Sequence, residues 1–477
     1  MRTPYDASVE HVADLDQTER DARATAASTL LGPLAERGVV GVATTFVDNS
    51  GVARVKAVPL GRLPHLAAWG VGSSVSFDRF RFDDWIAGDG AGREAVGDLR
   101  VMPDVRRVVP LGGTSGWAWA PADRYQQDGT PHDQCGRLLL ASLLGTLAAQ
   151  GITMKAAVEL EWVVSHDVAD DSDDDFRPAA RGPAYGMARL VDASDYSADL
   201  LAALADSGVV VEQFHPEYAP GQLELSVAAE DPVSAADTSV LVRSVIAAVG
   251  LRHGFRTSFS PKVAVPSVGN GGHVHLSLWS DGANLMAGGP DARFGLTADG
   301  EAFAAGILEH LPALMAVGAP GVTSYLRHVP SHWAGTYACW GLENREAAMR
   351  MVTGSPGATA SVANVEVKCF DLHANPYLVF AGLVGAGLSG LATGSSLPDP
   401  VDVDPAVLSS DELQSRGIKR LPQSLREAVD AFAVDAAVQY AFGAGLSASV
   451  VAVRESELEL FDGESDETVA AATRWQR

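Results

Sequence analysis

Apolar and polar positions along the chain follow two periods, and where the period changes the chain divides into unequal parts. From Val39 to Leu60 the run VVGVATTFVDNSGVARVKAVPL sets β-branched residues on either side of Asp48, Asn49 and Gly51, which predicts two strands joined by a tight turn. Short apolar runs with turn signals continue through DLRVMPDVRRVVPL and GWAWAPAD, predicting a small mixed sheet that ends near residue 128. Beyond it, GRLLLASLLGTLAAQG (Gly136–Gly151) carries apolar residues at helical spacing, stops at a glycine and feeds the strand-like VELEWVVS. VLVRSVIAAVGLRHG and PQSLREAVDAFAVDAAVQYAFG each read as one amphipathic helix. The expectation is a chain with a smaller part, residues 1–128, and a larger part, residues 129–477.

Three stretches mimic other functions. PYLVFAGLVGAGLSGLATG (Pro376–Gly394) is uncharged over about the minimum spanning length, but its glycines and its charged flanks favour a buried helix over a membrane span. GAGLSG (Gly385–Gly390) and GAGLSA (Gly443–Ala448) fit the dinucleotide-binding consensus, yet no strand leads into either, so both read as small-residue helix packing. DVADDSDDDF (Asp167–Phe176) is acidic enough for a calcium loop but lacks the required glycine and terminal glutamate, and reads as a solvated loop.

Composition changes the picture in two ways. Thirty-five Lys and Arg against sixty Asp and Glu leave a formal charge of -25, which argues against nucleic acid or any polyanionic partner. The cysteines Cys135, Cys339 and Cys369 lack the spacing of a zinc site or disulfide framework, and the polar start MRTPYDASVEHVADLDQTER is unlike a signal peptide. Both suit a reducing cytoplasm.

The chemistry begins with two glutamates. On a strand Glu159 and Glu161 share one face, and burying that pair is costly unless cations lie around it. Partners recur further on: Glu217 and Glu224 flank a proline-glycine turn in FHPEYAPGQLELSV, His273 and His275 alternate after a glycine-rich entry in GNGGHVHLSLWS, and Glu366 lies in ANVEVKCFDLHANPYL. A set rich in carboxylates and poor in nitrogen favours magnesium or manganese over zinc. Arg327, Arg345 and Arg350 lie between His273 and Glu366, and guanidinium forks suit carboxylate and phosphate. Metals with arginines point to phosphoryl transfer.

In order and spacing, VELEW, HPEYAPGQLEL, SFSPK with GNGGHVHLS, LENREAAMR and VEVKCFDLHANPYL resemble the signature segments of the type I glutamine synthetase family, and the likeness covers nearly the whole chain. The resemblance implies an α+β fold, with a β-grasp-like N-terminal domain and a larger catalytic domain built on a curved antiparallel sheet. It implies ATP and glutamate as substrates, two or three Mg2+ or Mn2+ ions, and a ring-based homo-dodecamer with sites completed by the adjacent subunit. By similarity Glu161, Glu217 and Glu224 would hold one metal, and Glu159, His273 and Glu366 the metal at the ATP phosphates. Arg327 would grip the glutamate carboxylate, with Asn270 beside it in the substrate site. Arg345 and Arg350 would face the transferred phosphoryl group, Ser277 the ATP, and Lys262 lies in the matching PK segment. Tyr185 in GPAYGM corresponds to an amine-site tyrosine.

Departures from the family's pattern concern the amine. Where the family carries a glutamate that closes the site and helps deprotonate ammonium, this chain reads PSHWAG and places Trp333. Where a neighbouring subunit supplies an aspartate before GSS, Val71 precedes Gly72, Ser73 and Ser74. Lys368 replaces an arginine after Glu366, keeping the charge but losing the fork. Tyr325, His332, Trp333, Tyr337 and Trp340 cluster near the expected amine entrance, where aromatic faces can hold a cationic amine. The expectation is therefore a γ-glutamyl-amine ligase, with a monoamine such as ethanolamine favoured over a polyamine because two acids are gone. An ordinary glutamine synthetase using ammonium and a non-catalytic structural relative are the alternatives.

Overall fold

The computed structural model describes residues 14–88, 90, 96–167 and 176–476. The first thirteen residues and most of the acidic stretch after Asp167, whose reading as a solvated loop was a sequence expectation, lie outside them.

The predicted hairpin forms. β1 (Gly41–Val47) and β2 (Ala53–Pro59) pair antiparallel, and the Asp48 carboxylate closes the turn by accepting from the Ser50 and Val52 amides at 2.9 and 3.0 Å. With β3 (Val71–Ser74), β4 (Asp98–Pro103), β5 (Val109–Pro110) and β6 (Trp117–Tyr125) it builds a mixed six-stranded sheet in the order β2-β1-β6-β4-β3, β5 lying against β6. β1 and β6 run parallel at its centre. The helix Gln17–Glu36 packs on it through Ala27 and Leu34.

The second sheet carries the chemistry. It comprises β7 (Thr153–His166), β8 (Val211–Pro216), β9 (Gln222–Val227), β10 (Phe255–Ser258), β11 (Gly272–Ser280) and β12 (Ala283–Asn284). β13 (Tyr337–Ala338) pairs separately with β17 (Lys419–Arg420), while β14 (Trp340–Leu342), β15 (Met349–Val352) and β16 (Asn364–Val367) complete the nine strands. The order is β14-β15-β16-β11-β7-β9-β8, antiparallel except for the β14/β15 pair.

Buried polar ties join the two sheets. The Arg137 guanidinium, on the helix Gly136–Ala148, meets Asp123, Asp104 and Asp237 at 2.8, 2.8 and 2.9 Å. The Asn375 side chain caps the helix Pro376–Thr393 and donates to the carbonyls of Val47 and Asp48 in the hairpin turn. The buried Arg137 charge is compensated by these three carboxylates, as a charge taken out of water requires.

Two helical expectations need correction. PQSLREAVDAFAVDAAVQYAFG is two helices, Leu425–Val434 and Ala436–Phe442, because the Asp435 carboxylate caps the second one at the Ala437 and Val438 amides. The helix Pro232–Arg252 is buried around most of its circumference, so its apolar pattern is a core pattern rather than a one-sided one.

The uncharged run from Pro376 is a helix inside the protein; it and Pro232–Arg252 are long and apolar enough to span a membrane, but both are mostly buried against other elements. Its glycines have a packing role. A Cβ at Gly390 would sit 2.1 Å from the Ala302 carbonyl oxygen on the helix Ala298–Gly318, and one at Gly306 would sit 2.3 Å from that of Ala386. Close backbone approach, not a phosphate cradle, explains GAGLSG. Gly390→Ala is expected to lower stability by about 1–3 kcal/mol, whereas Gly61→Ala, which would meet nothing within 4 Å, leaves the thermal midpoint nearly unchanged; paired melts check this.

Candidate active site

Strand register assembles the acidic side chains. β7 lies between β11 and β9, so Glu159 stands opposite His273 and Glu161 opposite Glu224. β16 pairs with β11 on the far side, placing Glu366 opposite His275. The β8/β9 hairpin turns at Glu217 and returns at Gln222, with His215 opposite Glu224. Side-chain alternation then directs these groups to one face, where all but His275 line a cavity of about 500 Å³.

Two donor groups result. In the first, His273 Nδ1 lies 3.3 Å from Glu159 and 3.5 Å from Glu366, and one atom from each of the three residues lies within 4.8 Å of the others. This is the set that the resemblance implied. The second brings His215, Glu217 and Glu224 within the same span, His215 Nε2 standing 3.3 Å from Glu224. Glu161 lies between the groups: one oxygen accepts from the Gly271 amide and from Gln222, the other is 3.6 Å from His273 Nε2. His215 is a donor that the sequence reading missed; its alternation with Glu217 along FHPE is the signal for it.

The carboxylates are unequally compensated. Burial and the neighbouring carboxylates of Glu161 and Glu224 push Glu217 up to about 7. Burial opposes ionisation of Glu366 too, but Lys368 at 2.8 Å and the imidazoles outweigh it and hold it at about 2. Burial likewise works against Glu159, and His273 and His275 overcome it, holding the carboxyl well below the usual range. Repulsion that Glu161 and Glu224 exert on Glu217, with imidazoles in reach, fits hard divalent cations.

Cations ring the acids. Arg327 donates to the Lys368 and Phe370 carbonyls and rests 3.2 Å from His273 Nε2. A Cβ on Gly271 would lie 2.5 Å from that nitrogen and 2.8 Å from the Arg327 guanidinium, so the glycine-rich entry is needed for this approach. Arg350 bridges Glu366 at 3.2 Å and Glu343 at 2.6 Å; Arg345 is exposed at the cavity wall. Lys262 also lines the cavity.

Other expected residues fall elsewhere. Asn270 is 1% exposed, donates to the Ser260 carbonyl and accepts from Gln222, so it braces the wall and is not among the lining residues. Ser277 lies two residues beyond His275 along β11, accepts from the Trp279 indole and is also outside the lining. β3, with Gly72, Ser73 and Ser74, is an edge strand of the first sheet.

At the mouth, the Trp333 ring packs on Tyr218 with centroids 5.6 Å apart, and Tyr185 lies beside His215 at 5.9 Å. Burial and Glu217 raise the pKa of Tyr185. Of the aromatic cluster expected there, His332 and Trp333 line the cavity. Trp340 is a core residue packed on Phe294, its indole bonded to the Pro398 carbonyl; Tyr337 lies under Arg420; and Tyr325 packs on His328.

A search of family models matches residues 133–471 to the glutamine synthetase catalytic domain. The chain belongs to the glutamine synthetase family. It is 52% identical over 451 residues to the gamma-glutamylpolyamine synthetase GlnA3 of Streptomyces coelicolor, covering 94% of this chain and 96% of that protein. It is 29% identical over 448 residues to the glutamine synthetase of Methanosarcina mazei, covering 91% of this chain and 94% of that one. A solved glutamine synthase homologue superposes with a TM-score of 0.80 at 31% identity, covering 91% of this chain and 97% of that one. A GmaS/ADP complex does so with 0.78 at 27% identity and the same coverage. Glutamine synthetase family members use ATP and divalent metal ions.

One consequence is measurable without substrate. Burial pulls His275 down, but Glu159, 3.2 Å from its Nε2, outweighs this and holds it up at about 9. Because the folded value lies above the unfolded one of about 6.5, the contribution is complete below pH 6.5 and is lost as pH rises through 9. In chelator-treated protein, denaturant titrations at pH 6.5 and 9 are expected to differ by up to roughly 3 kcal/mol from this group, a difference that His275→Asn removes.

Proposed function

We propose that this chain is an ATP-dependent ligase joining an organic amine to the γ-carboxylate of glutamate, with a di- or polyamine as the favoured nucleophile. In this reading a γ-carboxylate oxygen attacks the terminal phosphorus of ATP and ADP leaves. The neutral amine nitrogen then attacks the γ-carbonyl carbon, a C–N bond forms, phosphate departs and the nitrogen gives up a proton.

Each half has its own residues. Glu159, His273 and Glu366 would hold one divalent ion, and Glu161, Glu217 and Glu224, with His215 beside them, another. Such ions, when bound, neutralise phosphate charge and orient the transferring group. Arg345 and Arg350 face the same space and add fixed positive charge, which favours the electron-rich transition state. Arg327 would take the carboxylate of glutamate, and Lys368 is assigned to the same substrate. Asn270 would act by bracing Gln222, and Ser277 would lie toward the ATP.

Trp333 carries the amine assignment. It stands where the family resemblance implies an acid, and its ring with that of Tyr218 offers π faces to an organic cation; Tyr185 extends the wall. Loss of the two family acids favoured a monoamine on sequence grounds. The 52% identity to a gamma-glutamylpolyamine synthetase, the formal charge of -25 that draws polycations, and the acids Glu346 and Asp404 at the mouth weigh toward more than one nitrogen.

The reading extends to the whole chain. Residues 1–128 and 129–477 would be its two domains, and three unpaired buried cysteines suit a cytoplasmic enzyme. With β3 at a sheet edge, its GSS segment would complete the site of an adjacent subunit in a homo-dodecamer. Light scattering is expected to find a particle of twelve 49.8 kDa chains; a monomer would leave that segment without its role.

Phosphate release with ATP, glutamate and Mg2+, with product masses confirmed, tests the activity. A diamine or polyamine is expected to outpace ammonium, and Trp333→Ala to raise the amine KM roughly three- to thirtyfold, the worth of a cation–π contact of about 0.5–2 kcal/mol. Faster turnover with ammonium than with any substituted amine would sink the proposal.

A further inference from the structure

We propose that Glu346 sets the amine specificity of this site, one carboxylate oxygen holding Trp333 in place and the other receiving the distal ammonium of a di- or polyamine. The inference rests on the amine-ligase reading above.

The mouth loop makes the case. Ser331 and Trp333 both adopt left-handed backbone conformations, φ 58° and 55°, which side chains other than glycine adopt at a cost. Two carboxylates from outside the loop tie these residues down. Asp404 accepts from the Ser331 hydroxyl at 2.6 Å, and Glu346 Oε1 accepts from the Trp333 amide at 3.1 Å. Without these ties the backbone has a cheaper conformation available, and the indole loses its place against Tyr218.

The acids on this rim are not equivalent. Glu343 spends one oxygen on Thr353 and the other on Arg350. Asp404 gives its second oxygen to the Ala406 amide. Among the described residues, none donates a hydrogen bond to Glu346 Oε2. Its backbone is fixed nonetheless: the Glu346 amide donates to Asn344 Oδ1 at 2.9 Å, and the Asn344 side chain donates to the Val401 and Val403 carbonyls. The residue follows Arg345, which lines the cavity, and Lys368 and His332, also lining, are its electrostatic neighbours.

Amine chemistry calls for such a group. The attacking nitrogen must be neutral, whereas a second nitrogen on the same molecule stays protonated at neutral pH and needs a counter-charge. Trp333 and Tyr218 supply π faces without net charge. Glu217 and Glu224 belong to the metal donors. Glu346 is a half-buried carboxylate joined to the aromatic wall by a hydrogen bond, with an oxygen to spare.

The test compares 1,4-diaminobutane with n-butylamine, nearly equal in length and differing in the second charge. Glu346→Gln keeps an acceptor for the Trp333 amide and removes the charge. It is expected to lower the diamine-to-monoamine ratio of kcat/KM about tenfold, through the diamine KM with kcat little changed. Glu346→Ala also removes the tether and is expected to raise KM for both amines. An unchanged ratio in Glu346→Gln overturns the inference, as does an equal fall in kcat for both amines and ammonium, which would make Glu346 a proton acceptor. If the wild-type protein prefers ammonium, the amine-ligase reading fails first; if it prefers the diamine and Glu346→Gln does not alter that preference, only this inference falls.

Discussion

Mutual repulsion of the carboxylates on one face of the second sheet is the constraint around which this protein is arranged. Glu159, Glu161, Glu217, Glu224 and Glu366 converge on one cavity, and Glu217 registers the cost by holding its proton to about 7. An uncompensated charge costs several kcal/mol once taken out of water. The protein offsets part of this with His215, His273, His275, Arg350 and Lys368. The remainder suits divalent cations, the kind of ion that members of this family use.

That arrangement depends on rigid pairing. Glu159 and Glu161 stand correctly because β7 runs between β11 and β9, and a slip of one residue would turn every donor into the core. Behind the sheet, the buried helix Pro232–Arg252 packs on β7, and the close-packed helices Ala298–Gly318 and Pro376–Thr393 belong to the same apolar core. The chemistry therefore sits on strands, and the adaptable part, the loop with Ser331 and Trp333, sits where a variable substrate would enter. The family supplies a phosphoryl-transfer face, and the mouth of this chain departs from the ammonium pattern without losing acidity, since Glu346 and Asp404 reach the same loop from other segments.

Much of this was legible in the residues. The hairpin around Asp48, the strand with the paired glutamates, the alternating histidines and the buried run from Pro376 follow from period-two and helical patterns that short-range sterics enforce. Less legible were contacts between segments distant in sequence. His215 was one polar residue in FHPEY until β9 brought Glu224 across from it. Tyr337 and Trp340 looked like entrance aromatics because they neighbour Trp333 in sequence, but strand pairing turns them to the interior.

The sequence by itself determined which donors exist and that carboxylates outnumber nitrogens among them, while its resemblance to the family implied Trp333 where an ammonium-site acid would stand. Those are properties of residue type and local spacing. Only the tertiary structure decided which donors share a cluster, that Asn270 supports the wall, and that Glu346 stands beside Trp333 with one oxygen uncommitted. The physical reason is range. Alternation along a strand acts over neighbouring residues, whereas a hydrogen bond across a thirteen-residue separation depends on where the intervening turns carry the chain.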